Sequence, residues 1–354
     1  MPAAAPVLLS LALVASTSPT ASALGPAAAV SRRSAVCGAL SSALVASRPL
    51  PAPAAPPGRE GILMPPQSPI PGIGAGAPLR PVVVEAAAGE GAPRPPPPAT
   101  RLGRERLGAA DLSPLSAALS PLAETELYYP AWLEGEWDVR ATLLRKVYPY
   151  GTEYVPSSSL VEGSPRNRSE GAGNVVSSRS RYVMGAGGAK GGVVGVIADR
   201  RHNALATSRA YRQLTPVEEV AWDPARDPTR LSLSFEAGPL GEDMRPLGAR
   251  RAEVYITARR REEGGDGSTF AASERMRQVT VATGSVVVSD TETITEYVRR
   301  GDDGAVAAQR IAVYLTPNPN SREGILWQQV GGRAVAFFDY GIEMRRAPPP
   351  TSQT

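Results

Sequence analysis

Very little nucleophilic or imidazole chemistry is encoded in these 354 residues. There is one cysteine, Cys37, one histidine, His202, and two lysines, Lys146 and Lys190. Cys37 sits in the N-terminal stretch, so the rest of the chain has no thiolate nucleophile, disulfide or thiolate zinc cluster. A lone histidine excludes a histidine-rich metal site and a histidine-pair mechanism. Carboxylates and guanidiniums remain. The densest polar cluster is Asp199-Arg200-Arg201-His202-Asn203, at a strand-to-helix junction. Asp199, Arg200 and Asn203, with Tyr211 further along, are candidates for holding a ligand head group or a partner. The same residues also read as a helix cap, a turn tie and solvated arginines. Glu292 and Glu296, in Thr291-Glu292-Thr293-Ile294-Thr295-Glu296-Tyr297, share one strand face. They stand roughly 13–14 Å apart, too far to act alone as a glycosidase pair, and read as a solvated strand edge. The glycines around Lys190 lack the Gly-Lys-Ser/Thr ending of a phosphate loop and read as a hairpin or lid. No catalytic residue, metal or cofactor is assigned.

The elements that position these residues follow from periodicity. Trp137, Val139, Ala141 and Leu143 alternate with Asp138, Arg140 and Thr142, a period of two. Alternation recurs at 230–236 and 253–258, and further strands are expected over 175–184, 193–198, 270–282, 291–299, 309–315 and 333–346. Asp223-Pro224, Asp227-Pro228, Gly264-Gly265 and Pro317-Asn318 punctuate them. Residues 202–213 are the single helix expected within this unit. The organisation is a leader over 1–54, a Pro/Ala/Gly-rich linker with a short helix over 55–127, a folded unit over 128–346 and a tail over 347–354. Pro95-Pro96-Pro97-Pro98 and similar runs predict disorder or polyproline II in the linker, and Asp111 is expected to cap its helix. The fold class is mainly β, an antiparallel barrel whose closure removes exposed edges; the alternative is a two-sheet sandwich.

The run Trp132-Leu133-Glu134-Gly135-Glu136-Trp137-Asp138-Val139 resembles the Gly-x-Trp opening of lipocalin-like (calycin) barrels. The resemblance implies that Gly135 turns the chain into the barrel floor and that Trp137 plugs the closed end. An arginine of the last strand, Arg345, is then expected to pack across the indole, a contact worth ~0.5–2 kcal/mol. A longer resemblance rests on Tyr148-Pro149-Tyr150-Gly151, Gly163-Ser164-Pro165-Arg166-Asn167-Arg168, Ile197-Ala198-Asp199-Arg200 and Thr316-Pro317-Asn318-Pro319-Asn320-Ser321-Arg322-Glu323-Gly324. These blocks resemble an uncharacterised plastid and cyanobacterial family, a domain of unknown function. That resemblance implies plastid residence and no activity, and His202 departs from the aromatic expected at its position.

The first acidic residue is Glu60, and only Arg32, Arg33, Arg48 and Arg59 carry charge before it. An apolar core at 7–15 followed by Ala21-Ser22-Ala23 reads as a secretory signal, too short to span a bilayer. The acid-free, Ala/Ser-rich stretch behind it reads as a transit peptide. Ser31-Arg32-Arg33-Ser34 before a second apolar run resembles a twin-arginine signal, which places the protein in the thylakoid lumen; the stroma is the alternative, with secretion a third option. The net charge of +4 owes part of its excess to leader arginines, so nucleic acid is not the expected partner. No transmembrane anchor is expected in the mature protein. The expected role is non-enzymatic: binding an apolar ligand such as a lipid, pigment or quinone, or assisting assembly of a photosynthetic complex. The alternative is an isomerase, cyclase or de-epoxidase acting on a carotenoid or fatty-acid derivative. It would need a buried acid or base from Asp199, Glu292, Glu296, Asp339 or Glu343.

Overall fold

The computed structural model describes residues 81–86, 95–116, 126–157, 159–162, 171–185, 195–211, 216–240, 244, 248–282, 284–319 and 321–348. The leader, most of the linker, the loop carrying Lys190 and all but the start of the tail lie outside them. The strands are β1 (Val82–Glu85), β2 (Gly135–Tyr148), β3 (Val175–Gly185), β4 (Gly195–Ala198), β5 (Val217–Asp223), β6 (Asp227–Phe235), β7 (Ala249–Glu263), β8 (Thr269–Ala282), β9 (Ser285–Arg300), β10 (Gly304–Tyr314) and β11 (Ala334–Arg346). The helices are α1 (Arg101–Arg106), α2 (Ser159–Glu162), α3 (Arg200–Ala210) and α4 (Arg322–Gln329).

The protein is mainly β and antiparallel, as the alternation predicts. All strands belong to one curled, half-barrel sheet in the order β4-β3-β2-β11-β10-β9-β8-β7-β6-β5, with β1 on the edge of β2. One sheet, not two, rules out the sandwich. Each strand but β4 lies beside the next in the chain and β11 returns to β2, so among the described residues the order is a circular meander that lacks one ladder, between β4 and β5. The hydrogen-bonded ring expected from the sequence is therefore incomplete. Helix α3 connects β4 to β5 and packs against both β3 and β5, covering edges that would otherwise be bare.

Register sorts the two faces. Ile311 pairs with Phe338, Ile342 with Ala141 and Met344 with Val139; these inward residues join Trp137, Tyr148, Tyr182, Phe270 and Tyr297 in one apolar core. A second core gathers Leu231, Leu233, Val254, Ile256 and Met276 beneath Ala204 of α3. On the outer face Ile294, Tyr314 and Phe337 are also buried, under Leu107 and Leu112.

Several elements differ from expectation, β1 in the expected linker among them. β5 is a strand that alternation does not reveal, because register shifts at Val217/Glu219 and Ala221/Asp223 break its period. Helix α4 stands where none was expected, capped by the Ser321 side chain accepting from the Gly324 N–H, and α2 is a further short helix. The linker helix lies at 101–106, capped by Thr100, and residues 111–116 are not helical.

Candidate functional site at the half-barrel seam

The polar cluster singled out from the sequence lies at the seam, on the first turn of α3. Asp199 caps the helix, its Oδ1 accepting from the His202 N–H at 2.9 Å, while its Oδ2 accepts from the Arg181 guanidinium at 2.6 Å. Asn203 is fully buried and completes the edge of β3: its Oδ1 accepts from the Arg181 N–H at 2.7 Å and its Nδ2 donates to the Arg181 carbonyl at 3.0 Å. The side-chain amide thus prolongs the β4 side of β3, where the Arg181 carbonyl also accepts from the Asp199 N–H at 2.9 Å. Tyr211, at the end of α3, is buried in the larger core. Burial and the neighbouring Arg181 lower the His202 pKa below 6.5, against the pull of Asp199.

Arg200 points inward. Its guanidinium bonds Glu126 at 2.6 Å and Glu274 of β8 at 2.8 Å, and Arg259 of β7 bonds Glu274 at 2.9 Å and approaches Glu126 at 3.4 Å. All four side chains are buried, and two cations balance two anions. Burial alone would depress the Arg200 guanidinium, but Glu126 and Glu274 outweigh it and hold its pKa well above the ordinary value. Burial would likewise raise Glu274, yet Arg200 and Arg259 hold it below the ordinary carboxylate value. Tyr129, Tyr182, Phe270 and Tyr297 pack against one another beside the cluster, with the Tyr129 and Tyr182 rings edge-on and 5.0 Å apart. Burial, then Glu274, raises the Tyr129 hydroxyl. The sequence carries no signal for Arg259, Glu274 or Glu126 as partners of Arg200, because register and a distant loop bring them together.

At the start of β2 Gly135 takes φ +111°, a value that favours glycine, and a Cβ there would come within 2.7 Å of Arg346. The Trp137 indole N–H donates to the Leu133 carbonyl at 2.8 Å. The arginine over this ring is Arg346, 4.6 Å from its centre, and not Arg345. Arg346 is in register with Trp137, whereas Arg345 pairs with Asp138 on the opposite face. Arg346 also donates to the Glu134 and Trp132 carbonyls.

Glu292 and Glu296 are not at a solvated edge. Residues 99–116 lie over the outer face of β9 and occupy both carboxylates. Arg106 bonds Glu292 through Nε at 2.6 Å and Nη2 at 2.7 Å, with Ser273 and Tyr314 hydroxyls also donating to it. Glu296 accepts from the Ala99 N–H at 2.5 Å, the Thr100 N–H at 3.1 Å and the Thr100 hydroxyl. Glu262 accepts the Arg101 and Leu102 N–H groups. Asp339 is clamped by Arg310 and Arg145, and Glu343 faces Arg140 at 3.6 Å. The five carboxylates considered for acid–base work are thus dispersed and each has a cation or cap donors.

A groove of about 450 Å³ opens between α3 and the β5–β6 hairpin, lined by Arg201, Glu219, Trp222, Asp223, Arg230 and Ser232 among others. Trp222 separates it from Arg200, whose guanidinium lies 6.0 Å from the indole. Among the described residues no group of three or more His, Cys, Asp or Glu side chains could hold a metal ion. No helix among them is long and apolar enough to cross a membrane.

A family model for a domain of unknown function, DUF6816, matches residues 121–348. The chain belongs to that family. The DUF6816 region takes in the half-barrel from β2 to β11, the seam and the arginine–glutamate cluster, while β1 and residues 95–116 precede it. No curated protein and no solved structure matches the chain.

Proposed function

We propose that this DUF6816 protein is a non-enzymatic protein of the plastid, in the thylakoid lumen, that assists assembly of a photosynthetic complex through its outer surface. One observation carries the reading: among the described residues, the inner face of the half-barrel is lined by large side chains that are themselves buried. Trp137, Tyr148, Tyr182, Phe270, Tyr297 and Phe338 are each less than 2 % exposed, and the buried Arg200, Arg259, Glu126 and Glu274 neutralise one another. A lipid or quinone carrier needs an apolar space of several hundred Å³, and a barrel enzyme needs a carboxylate or imidazole free to exchange a proton with substrate. Apolar side chains are displayed outside instead, with Val82, Val83 and Val84 on β1 and Val281, Val286 and Val288 at the β8–β9 hairpin exposed. The arginine-bearing, acid-free leader supports the plastid address.

Native gel electrophoresis and native mass spectrometry of a plastid extract test this. The expected result is co-migration with a pigment–protein complex and a released subunit whose mass is that of polypeptide alone. A subunit carrying a stoichiometric lipid, pigment or quinone would sink the assembly reading in favour of a carrier.

A further inference from the structure

β10 ends at Tyr314, opposite Asp290 of β9. Residues 285–289 therefore have β8 on one side and no strand on the other among the described residues. Bare edges in natural sheets are blunted by a charge, a proline or a bulge. Ser285-Val286-Val287-Val288-Ser289 has none of these, and its ladder with β8 runs without a register shift. Val286 is 63 % exposed and Val288 38 %, beside Val281 at 41 %.

We propose that this edge pairs with the same edge of a second copy of the chain, continuing the sheet across a two-fold axis. The segment reads identically in both directions, so antiparallel pairing centred on Val287 sets valine against valine and serine against serine. Ala282 and Ser285 close a two-residue hairpin loop, which makes theirs a hydrogen-bonded pair, and such pairs alternate along an antiparallel ladder. Ser285, Val287 and Ser289 then bond β8, leaving the backbone groups of Val286 and Val288 on the free edge. In the two-fold arrangement Val286 meets Val288 of the copy twice over, forming about four inter-chain hydrogen bonds. The outer face of the joined sheet gains a continuous valine patch, since Val281 and Val279 are the β8 partners of Val286 and Val288. A second observation points the same way. The Ser285 and Ser289 hydroxyls are buried without a hydrogen-bond partner, and the pairing puts each opposite the other, within reach of a cross-strand hydroxyl bond.

The proposal is independent of the assembly role. Its test uses the full chain. In a Cys37→Ser background, Val287→Cys places two thiols in a non-hydrogen-bonded pair whose Cα atoms lie about 4.5 Å apart, within disulfide range. Oxidation is expected to give a symmetric 287–287 disulfide, mapped by peptide mass spectrometry. Sedimentation of the wild type is expected to show a dimer. Val286→Lys with Val288→Lys sets like charges against each other across the axis and should weaken it by more than about tenfold, whereas Val286→Thr with Val288→Thr should retain it. A monomer, a dimer indifferent to the lysines, a lack of 287–287 linkage, or protection of this edge by another segment of the same chain would each overturn the proposal.

Discussion

Arg200 and Arg346 show how single side chains tie the half-barrel together, and each makes a testable claim. Removing the Arg200 charge strands Glu126 and Glu274 in the interior, and breaking a buried ion pair typically costs ~3–5 kcal/mol. Arg200→Met should therefore lower unfolding free energy by about that amount in urea, with Glu274→Gln added to it recovering part of the loss. The same cluster sets an acid limb. Glu274 has a folded-state pKa below its ordinary value of 4.5, so the unfolded chain binds its proton first as pH falls. Its contribution is full above the ordinary carboxylate range and is lost as pH drops through the lower folded value. His202, depressed below 6.5 by burial and Arg181, acts with the same sign at higher pH: the unfolded chain takes up its proton first, so stability declines slightly below about pH 6.5. Denaturation midpoints measured from pH 7 to 3 should therefore show a shallow step and then a steep one, with His202→Gln removing only the first. At the entry to β2 Arg346→Ala loses an indole contact and two carbonyl caps, a cost of about 1–2 kcal/mol. Arg345→Ala should change stability by less than about 0.5 kcal/mol. Equal effects from the two would refute the register assignment.

Residues 99–116 behave as part of the folded body although they precede the family match. They shield Ile294, Tyr314 and Phe337 and supply the donors to Glu262, Glu292 and Glu296. A chain starting at residue 81 keeps these contacts and should melt as the full chain does. One starting at residue 121 leaves the buried Glu296 without its Ala99 and Thr100 donors and Glu292 with only the Ser273 and Tyr314 hydroxyls, and should lose more than about 3 kcal/mol; equal melting of the two would show the segment to be dispensable. This strap also explains what the sequence made legible. β2, β6 and β7 are readable because apolar and polar residues alternate along them at a period of two, and β3, β4 and β8 to β11 as further strands set off by turn residues, although β10 and β11 are buried on both faces. β9 was legible as a strand, but its polar face looked solvated because the covering segment lies nearly two hundred positions away. β5 was hidden by its own bulges. The Asp199 cap could be read locally, whereas the burial of Arg200 against Glu274, 74 residues on, could not. Arg345 and Arg346 differ only in parity, and the pairing of Arg346 with Trp137, invisible in the sequence, decides which arginine faces the indole.

The missing ladder between β4 and β5 gives the molecule a mechanical direction. From β5 round to β3 every strand step is bridged by backbone bonds, the longest of them in the run from β7 to β11 and on to β2. Across the seam, one helix substitutes for a strand pair. It is fastened by the Asp199–Arg181 ion pair, by the Asn203 amide on the backbone of Arg181, by the Ser208 hydroxyl accepting from the Val217 N–H at 2.7 Å, and by Arg200 inside. β4, only four residues long, has little else to hold it beyond β3 and the bridge from Tyr129 to Val196. A unit attached by so few bonds should open below the global unfolding free energy. Native-state hydrogen exchange is expected to show α3, β4 and the second half of β3 exchanging as one group, while β8, β9 and β10 exchange only with global unfolding. Asn203→Ala leaves the Arg181 carbonyl without its Asn203 donor and the Arg181 N–H without its acceptor, and should speed exchange across that group by about tenfold for each 1.4 kcal/mol lost. Protection in β9 should not change. If the variant instead raises exchange evenly throughout the sheet, the seam is not a separate opening unit and the helix is as firmly built in as a ladder between β4 and β5 would be.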